Sequence, residues 1–311
     1  MHPSATSATE RPEPAAGVDV RPPVSIVVRT CRGRLDFLQE ALASLFAQTY
    51  APLQIVVVED GSADAGPLVE RLAAGMRQPM LYRSIEKAGR CHAGNVGLAL
   101  AGGRLLGFLD DDDRLFPHHV ASLVEVLVRQ PAVPAAYSLA CEVPTRVISH
   151  EPLCYQETAR YVVHRRRWRP TEMAGRNFLP IQSVLFRREL FERYGGFDQR
   201  LECLEDWELW RRYLAAGEFA HVDRVTSMHR VPADARQAHA RYRRLQSYRP
   251  ALDRDWAAAA TSDSLAQGPS PARRLAARIV AHAWPFRLYW HARLWWYACR
   301  QRRFRDDLYA A

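Results

Sequence analysis

Lysine is all but missing from this chain: of its 43 basic residues, only Lys87 is not an arginine. Also missing is any C-x-x-C pair. The six cysteines, Cys31, Cys91, Cys141, Cys154, Cys203 and Cys299, are scattered along the sequence. That argues against a zinc ribbon or a secreted disulfide framework and fits a reducing compartment. No apolar run approaches the ~20 residues that span a bilayer. Residues 1–22 hold no apolar signal core, and Pro3, Pro12, Pro14 and Pro22 interrupt any regular element there, so a disordered leader is expected. The chain is therefore expected to be neither secreted nor membrane-spanning.

What is present is ordinary in bulk. The 311 residues are 48% hydrophobic and 25% charged, the balance of a globular protein able to bury its core without staples. One large α/β domain with extensions, or two smaller domains, fits that length. Acidic residues number 34, leaving a formal net charge of +9. A surplus of that size admits nucleic acid, an anionic membrane surface or a phosphorylated substrate as partner. Because a GC-rich genome also favours arginine, composition does not choose among them.

Hydrophobic periodicity organises the first half. Val24–Thr30 reads as a buried strand, short and β-branched. Leu35, Leu38, Leu42, Leu45 and Phe46 recur at helical spacing. Ile55–Val58 is a second strand, ending in Glu59-Asp60-Gly61-Ser62, and a helix is expected from Pro67. Leu81–Ile85 is a third strand, and Ala93–Ala101 a helix closed by Gly102-Gly103. Leu105–Leu109, a fourth strand, runs into Asp110-Asp111-Asp112-Asp113, followed by a helix to Arg129 and a strand over Ala135–Ala140. This βαβαβαβ alternation predicts a mostly parallel, Rossmann-like sheet flanked by helices, with ligands beyond the carboxyl ends of its strands. The polar clusters at 30–34, 59–62 and 110–113 all fall there.

The second half is less regular. Arg160–Arg176 carries six arginines around Trp168 and reads as an excursion or mobile loop. Ile181–Phe186 is expected as a strand, Arg188–Tyr194 as a helix and Glu205–Ala216 as another. Residues 261–271 read as a linker, and 272–305 as a basic, tryptophan-rich segment.

Four successive aspartates at a strand end repel one another, and a bound divalent cation removes that penalty. Hard carboxylate ligands suit Mg²⁺ or Mn²⁺; an acidic loop feeding a helix N-terminus is the alternative. Asp60 could accept hydrogen bonds from a base or ribose, or simply belong to an Asp-Gly turn.

In order along the chain, Val24–Thr30, Leu42–Thr49, Ile55–Ser62, Gly89–Ala101 and Phe108–Asp113 resemble the nucleotide-binding half of family 2 glycosyltransferases. Ser183–Arg188, Gly195–Asp198 and Leu204–Trp210 resemble the acceptor half. The resemblance covers roughly residues 23–230 and implies a GT-A fold over 23–235, with 23–140 as the nucleotide-sugar half and 141–235 as the acceptor half. Residues 236–311 are left as an arginine- and tryptophan-rich helical C-terminal extension. The activity implied is an inverting, metal-dependent transfer from a nucleotide-diphospho-sugar to a hydroxyl of a glycan or lipid-linked acceptor, as in cell-surface polysaccharide or glycolipid synthesis. Asp110 and Asp112 match the D-x-D motif of Mn²⁺ or Mg²⁺ binding, with Asp112 the direct ligand. Asp111, Asp60 and Thr30 match positions near the nucleotide, and Asp206 matches the catalytic base. His229 corresponds to a region where some relatives complete the metal or diphosphate site; a structural histidine is the alternative.

Four positions depart from the family pattern. Cys31-Arg32 replaces a Tyr-Asn pair, Glu59 an aspartate, and Gly94 an arginine; Arg90 or Arg32 is expected to supply the lost diphosphate contact. His118 and His119 read as surface or capping residues, and Asn95 as a cross-link or a donor contact. The C-terminal segment, with Trp284, Trp290, Trp295 and Trp296 among arginines, suits either an anionic membrane interface or packing on the domain. The implied location is cytoplasmic, peripheral on the inner face of the cytoplasmic membrane. A non-catalytic sugar-nucleotide binder and a nucleotidyltransferase are weaker alternatives. Nucleic acid is not expected as a partner, because no binding signature accompanies the positive charge.

Overall fold

The computed structural model describes residues 21–150, 152–162 and 170–261. The expected leader up to residue 20, Trp168 with Arg165, Arg166, Arg167 and Arg169, most of the expected linker and the tryptophan-rich segment lie outside the described residues.

Ten strands form one sheet in the order β3-β2-β1-β4-β9-β6-β10-β5. The first four are β1 (Val24–Cys31), β2 (Leu53–Asp60), β3 (Met80–Ile85) and β4 (Leu105–Asp110). All run parallel, with β1 between β2 and β4. β9 (Val184–Arg187) is antiparallel both to β4 and to β6 (Ala135–His150). β6 therefore points the same way as β4, and β10 (Ala220–Pro232) runs parallel to it. Six strands thus share one direction, the mostly parallel α/β sheet the alternation predicts. The remaining strands, β5 (Arg114–Leu115), β7 (Leu153–Glu157) and β8 (Tyr161–Val162), add short antiparallel pairs at β10 and β6.

The period-2 alternation of β1 sorts its residues between two cores. Val27 joins Val56, Val58 and Phe108 on one face of the sheet. That face is covered by α3 (Arg90–Leu100), α6 (Arg188–Tyr194) and α7 (Glu205–Tyr213). Ile26 and Val28 join Ile55 and Val57 on the other, with Leu38, Leu42 and Leu45 of α1 (Leu35–Phe46), Leu68 of α2 (Gly66–Ala73) and Leu123 of α4 (His119–Arg129). α5 (Pro170–Gly175) lies where a loop was expected, and α8 (Ala235–Thr261) follows β10.

Some elements differ from expectation. The strand expected at 181–186 begins as a 3₁₀ turn, Ile181–Ser183, and extends only from Val184. The helix expected to reach residue 216 ends at Tyr213 and tightens into a 3₁₀ turn over Leu214–Ala216. β10 had no counterpart in the sequence reading, because register shifts between Val222, Val225 and Ser227 scramble its alternation. His119 is a correction: it is 1% exposed and its Nδ1 lies 2.7 Å from the Thr226 hydroxyl. Burial lowers its pKa to about 3, so it is a neutral core residue and not a surface one.

Register sets up the rest. Arg29 is opposite Asp110 and Cys31 is opposite Asp60, so both acidic clusters flank the end of the central strand.

Candidate active site

At the end of β4 the four aspartates diverge. Asp110 accepts two hydrogen bonds from Arg29, from Nε at 2.7 Å and Nη2 at 3.0 Å. Burial pushes its carboxyl up, but the Arg29 and Arg90 guanidinia outweigh that and hold it below the ordinary carboxylate range. Asp111 turns away from the cavity and accepts from the Thr30 hydroxyl at 2.7 Å and from Arg34 Nη2 at 2.6 Å. Burial, only partly offset by Arg34, raises it to about 6. Asp112 is 38% exposed and 2.7 Å from Arg34 Nη2. Asp113 is buried and takes the Arg230 backbone N–H; burial and the neighbouring Asp112 charge push it well above the usual range.

Beside them, at the end of β2, Asp60 accepts from Lys87 Nζ at 2.5 Å and from the backbone N–H groups of Ala88 and Gly89. Those donors lower its pKa against the opposing effect of burial. Glu59 has a structural job: it takes the hydroxyls of Ser62 and Tyr82 and the Ala65 N–H, bracing the loop after β2.

α7 supplies the opposing chemistry. It starts from Leu204, whose φ of 63° makes it the one non-glycine residue with positive φ among those described. A side chain in that region is strained, and here the strain sits immediately before Glu205-Asp206. Asp206 accepts from Asn177 Nδ2 at 2.8 Å and from the Trp207 N–H at 2.7 Å. Burial first, and the Glu205 charge second, raise its carboxyl to about 7. Glu205 is itself buried, 3.4 Å from Arg29 Nη1 and 3.2 Å from Arg90 Nη1. The indole N–H groups of Trp207 and Trp210 donate to the Met173 and Leu179 carbonyls and anchor the helix.

A cavity of about 1070 Å³ joins these groups, lined by Arg90, Asp110, Asp112, Asp206 and His229 of the residues singled out in the sequence. That is room for a substrate larger than a drug-sized ligand. Thr30, Asp60 and Asp111 lie beside the cavity without lining it. Arg32 is 78% exposed and points to Asp64 at 3.6 Å, away from the role proposed for it. His229 sits between Gln182, 3.5 Å from its Nδ1, and Glu142, 3.6 Å from its Nε2. Asn95 is a cross-link: its amide donates to the Phe197 carbonyl and accepts from the Phe197 N–H.

Sequence reasoning passed over Arg29, Arg34, Glu205 as a charge partner, and Asn177. Only Arg29 gave a signal in advance: a charged residue after the apolar run Ile26–Val28 must find a buried partner.

No three His, Cys, Asp or Glu side chains among the described residues converge closely enough to hold a metal unaided. Mg²⁺ and Mn²⁺ commonly take one or two carboxylates and complete their shell with water and phosphate. Asp112, partly open to the cavity, with Asp110 and His229 on the same cavity, fits that donor set.

The sequence pattern described as glycosyl transferase family 2 matches residues 25–195. An uncharacterized glycosyltransferase of Rickettsia prowazekii is 25% identical over 219 residues, spanning 68% of this chain and 65% of that protein. The glucosyl-dolichyl phosphate glucuronosyltransferase of Haloferax volcanii is 26% identical over 178 residues, 56% of each chain. The chain thus spans less than two thirds of both relatives. Among solved structures, S. aureus TarS 1-349 in complex with UDP-GlcNAc superposes with a TM-score of 0.61 at 14% identity, covering 83% of this chain and 71% of that one. The mannosyltransferase PcManGT from Pyrobaculum calidifontis, in complex with GDP-Man and Mn²⁺, gives 0.58 at 20% identity, covering 90% and 81%. The shared architecture is the GT-A fold.

Proposed function

Because this chain belongs to glycosyl transferase family 2, we propose that it moves a sugar from a nucleotide-diphospho-sugar to a hydroxyl of a glycan or lipid-linked acceptor, inverting the anomeric centre in one displacement. The observation that carries this reading is that one cavity is lined both by Asp110 and Asp112 and by the half-buried carboxylate of Asp206.

Each residue's part follows from its surroundings. Asp206 is the base. Asn177 and the Trp207 N–H fix its carboxylate, and a pKa near 7 lets it take a proton at neutral pH without holding it too weakly. Arg90, on the cavity and 56% exposed, is free to turn from Glu205 toward a diphosphate. Asp60, held ionised by Lys87, and Thr30 form the nucleoside end. Asp110, Asp112 and His229 would hold Mn²⁺ or Mg²⁺, which when bound neutralises charge on the departing nucleoside diphosphate. GDP-Man and Mn²⁺ in the P. calidifontis neighbour and UDP-GlcNAc in TarS support a donor of this class.

On the acceptor side, Arg241, Arg244 and Arg249 of α8 line the same cavity, which favours an anionic acceptor. The H. volcanii relative, named for glucosyl-dolichyl phosphate, supports a lipid-linked one. No helix among the described residues is long and apolar enough to cross a membrane. The basic, tryptophan-rich composition of residues 272–305 suits attachment to an anionic bilayer face instead.

Calorimetry of the full chain with UDP-, GDP- and dTDP-sugars, with Mn²⁺ and with chelator, tests the reading. One nucleotide class should bind, at least tenfold more weakly after chelation or in Asp112→Asn. If none of them binds, the reading is wrong.

A further inference from the structure

Arg29 is the least expected residue in the site. It stands in β1 directly after three buried aliphatic residues, is itself 5% exposed, and carries a full charge. Its guanidinium is divided between two carboxylates from distant parts of the chain. Nε and Nη2 donate to Asp110 at 2.7 and 3.0 Å, while Nη1 donates to Glu205 at 3.4 Å. Both carboxylates line the cavity, one at the end of β4 and one next to Asp206. The guanidinium also lies 5.2 Å from the Phe197 ring centroid and 5.9 Å from that of Phe108.

The packing around it leaves little choice of position. A Cβ at Gly94 would stand 2.5 Å from the Phe197 ring and 3.5 Å from Arg29 Cδ. Gly94 therefore lets Phe197 close over the arginine. Asn95, the next residue, holds the Phe197 backbone from both sides. α3, the Gly195–Asp198 turn and Arg29 thus form one packed unit beneath the cavity.

Stability alone does not account for this arrangement. Buried ion pairs often contribute less than the apolar side chains that could replace them, because taking charges out of water offsets their attraction. A role in the reaction accounts for it better. Arg29 and Arg90 are the cations in contact with Glu205 among the described residues. If Arg90 turns to a bound diphosphate, Arg29 is the one that stays.

We propose that Arg29 is a positioning residue: its forked guanidinium ties the donor-side Asp110 to Glu205, and through Glu205 fixes α7 so that Asp206 faces the acceptor hydroxyl. The proposal rests on the transferase reading above. It requires an arginine, since only a planar fork can serve both carboxylates together, and a lysine ammonium is a single point of charge. Loss of the tie frees the first turn of α7, where Leu204 already sits in a strained conformation.

The test uses full-length Arg29→Lys, Arg29→Met and Glu205→Gln. Hydrogen–deuterium exchange, which needs no donor, should show the amides of α7 exchanging at least tenfold faster in all three, with β2 and β3 unchanged. Unchanged α7 exchange in Arg29→Lys and Glu205→Gln overturns the tie, and these two milder variants decide even if Arg29→Met does not fold. With the donor found by calorimetry, Arg29→Lys should lose at least 100-fold in kcat while donor Kd moves less than tenfold, and Arg29→Met should be at least tenfold worse still. Donor Kd weakening in step with kcat would make Arg29 a donor ligand and overturn positioning. Failure of the whole donor panel removes the transferase reading, and the exchange measurement still reports on the tie.

Discussion

Desolvation first, and the neighbouring Glu205 charge second, push the Asp206 carboxyl up to about 7. The role proposed for it needs the ionised form, so kcat/KM should fall about tenfold per unit as pH drops below 7. Asp206→Asn should lower kcat by ~10²–10⁴-fold, the usual worth of a general base, abolish that acid limb and spare donor binding; full retained activity would rule Asp206 out. The same shift has a stability sign. The folded-state pKa of about 7 lies above the ordinary 3.8, so the native state holds this proton more tightly than the unfolded chain. Ionising Asp206 therefore costs stability progressively from about pH 4 to pH 7. Thermal midpoints of wild type and Asp206→Asn, compared from pH 4 to 8, should diverge in that direction. At this scale, Asp110, Asp112 and Asp206 could be singled out in the sequence, the first two as part of an acidic run at a strand end and the third by family resemblance, and all three line one cavity. Arg29 and Glu205 were not assigned, since a buried charge shows its partner only once residues 81 and 176 positions apart are brought together.

Elements were legible wherever periodicity was clean, as in β1, β2, β4 and α4. They were illegible where tertiary pairing overrode it, as in the bulged β10. α3 shows how close packing sits behind a weak signal. A Cβ on Gly97 would lie 2.2 Å from Val27 Cγ1, and valine, branched at Cβ, has little rotameric room to move aside. Gly97→Ala should therefore destabilise the protein by about 1–3 kcal/mol, the usual cost of overpacking. The urea midpoint measures this, and no change would mean that α3 can back away from the sheet.

For the whole molecule, α8 is joined to α7 through a layered contact. Fully buried Arg211 of α7 lies 4.9 Å from the Trp207 ring centroid and 4.7 Å from that of Trp256, and donates to Asp253 at 3.0 Å. Trp256→Ala should cost about 3 kcal/mol or more, seen as a lower thermal midpoint; an unchanged midpoint would mean that α8 contributes no stability. Charge divides between regions at this scale. Around the tetrad each carboxylate meets a guanidinium or a backbone donor, whereas Arg241, Arg244 and Arg249 of α8 line the cavity. If the remaining basic segment meets a membrane, the full chain should sediment with phosphatidylglycerol vesicles, not with phosphatidylcholine alone, and come off near 1 M salt, where the screening length is about 3 Å. Equal sedimentation with both would remove anionic lipid as the partner.

The scarcity of lysine has a practical consequence at the Lys87–Asp60 pair. Lys87 is 68% exposed, yet its ammonium rests on the buried Asp60 carboxylate. Apart from the amino terminus it is the chain's only primary amine. Reductive methylation with ¹³C-formaldehyde would therefore place a nearly unique isotopic beacon against the Asp60 carboxylate, the proposed nucleoside contact, without mutating a residue. Its resonance would follow the arrival of each candidate nucleotide in turn.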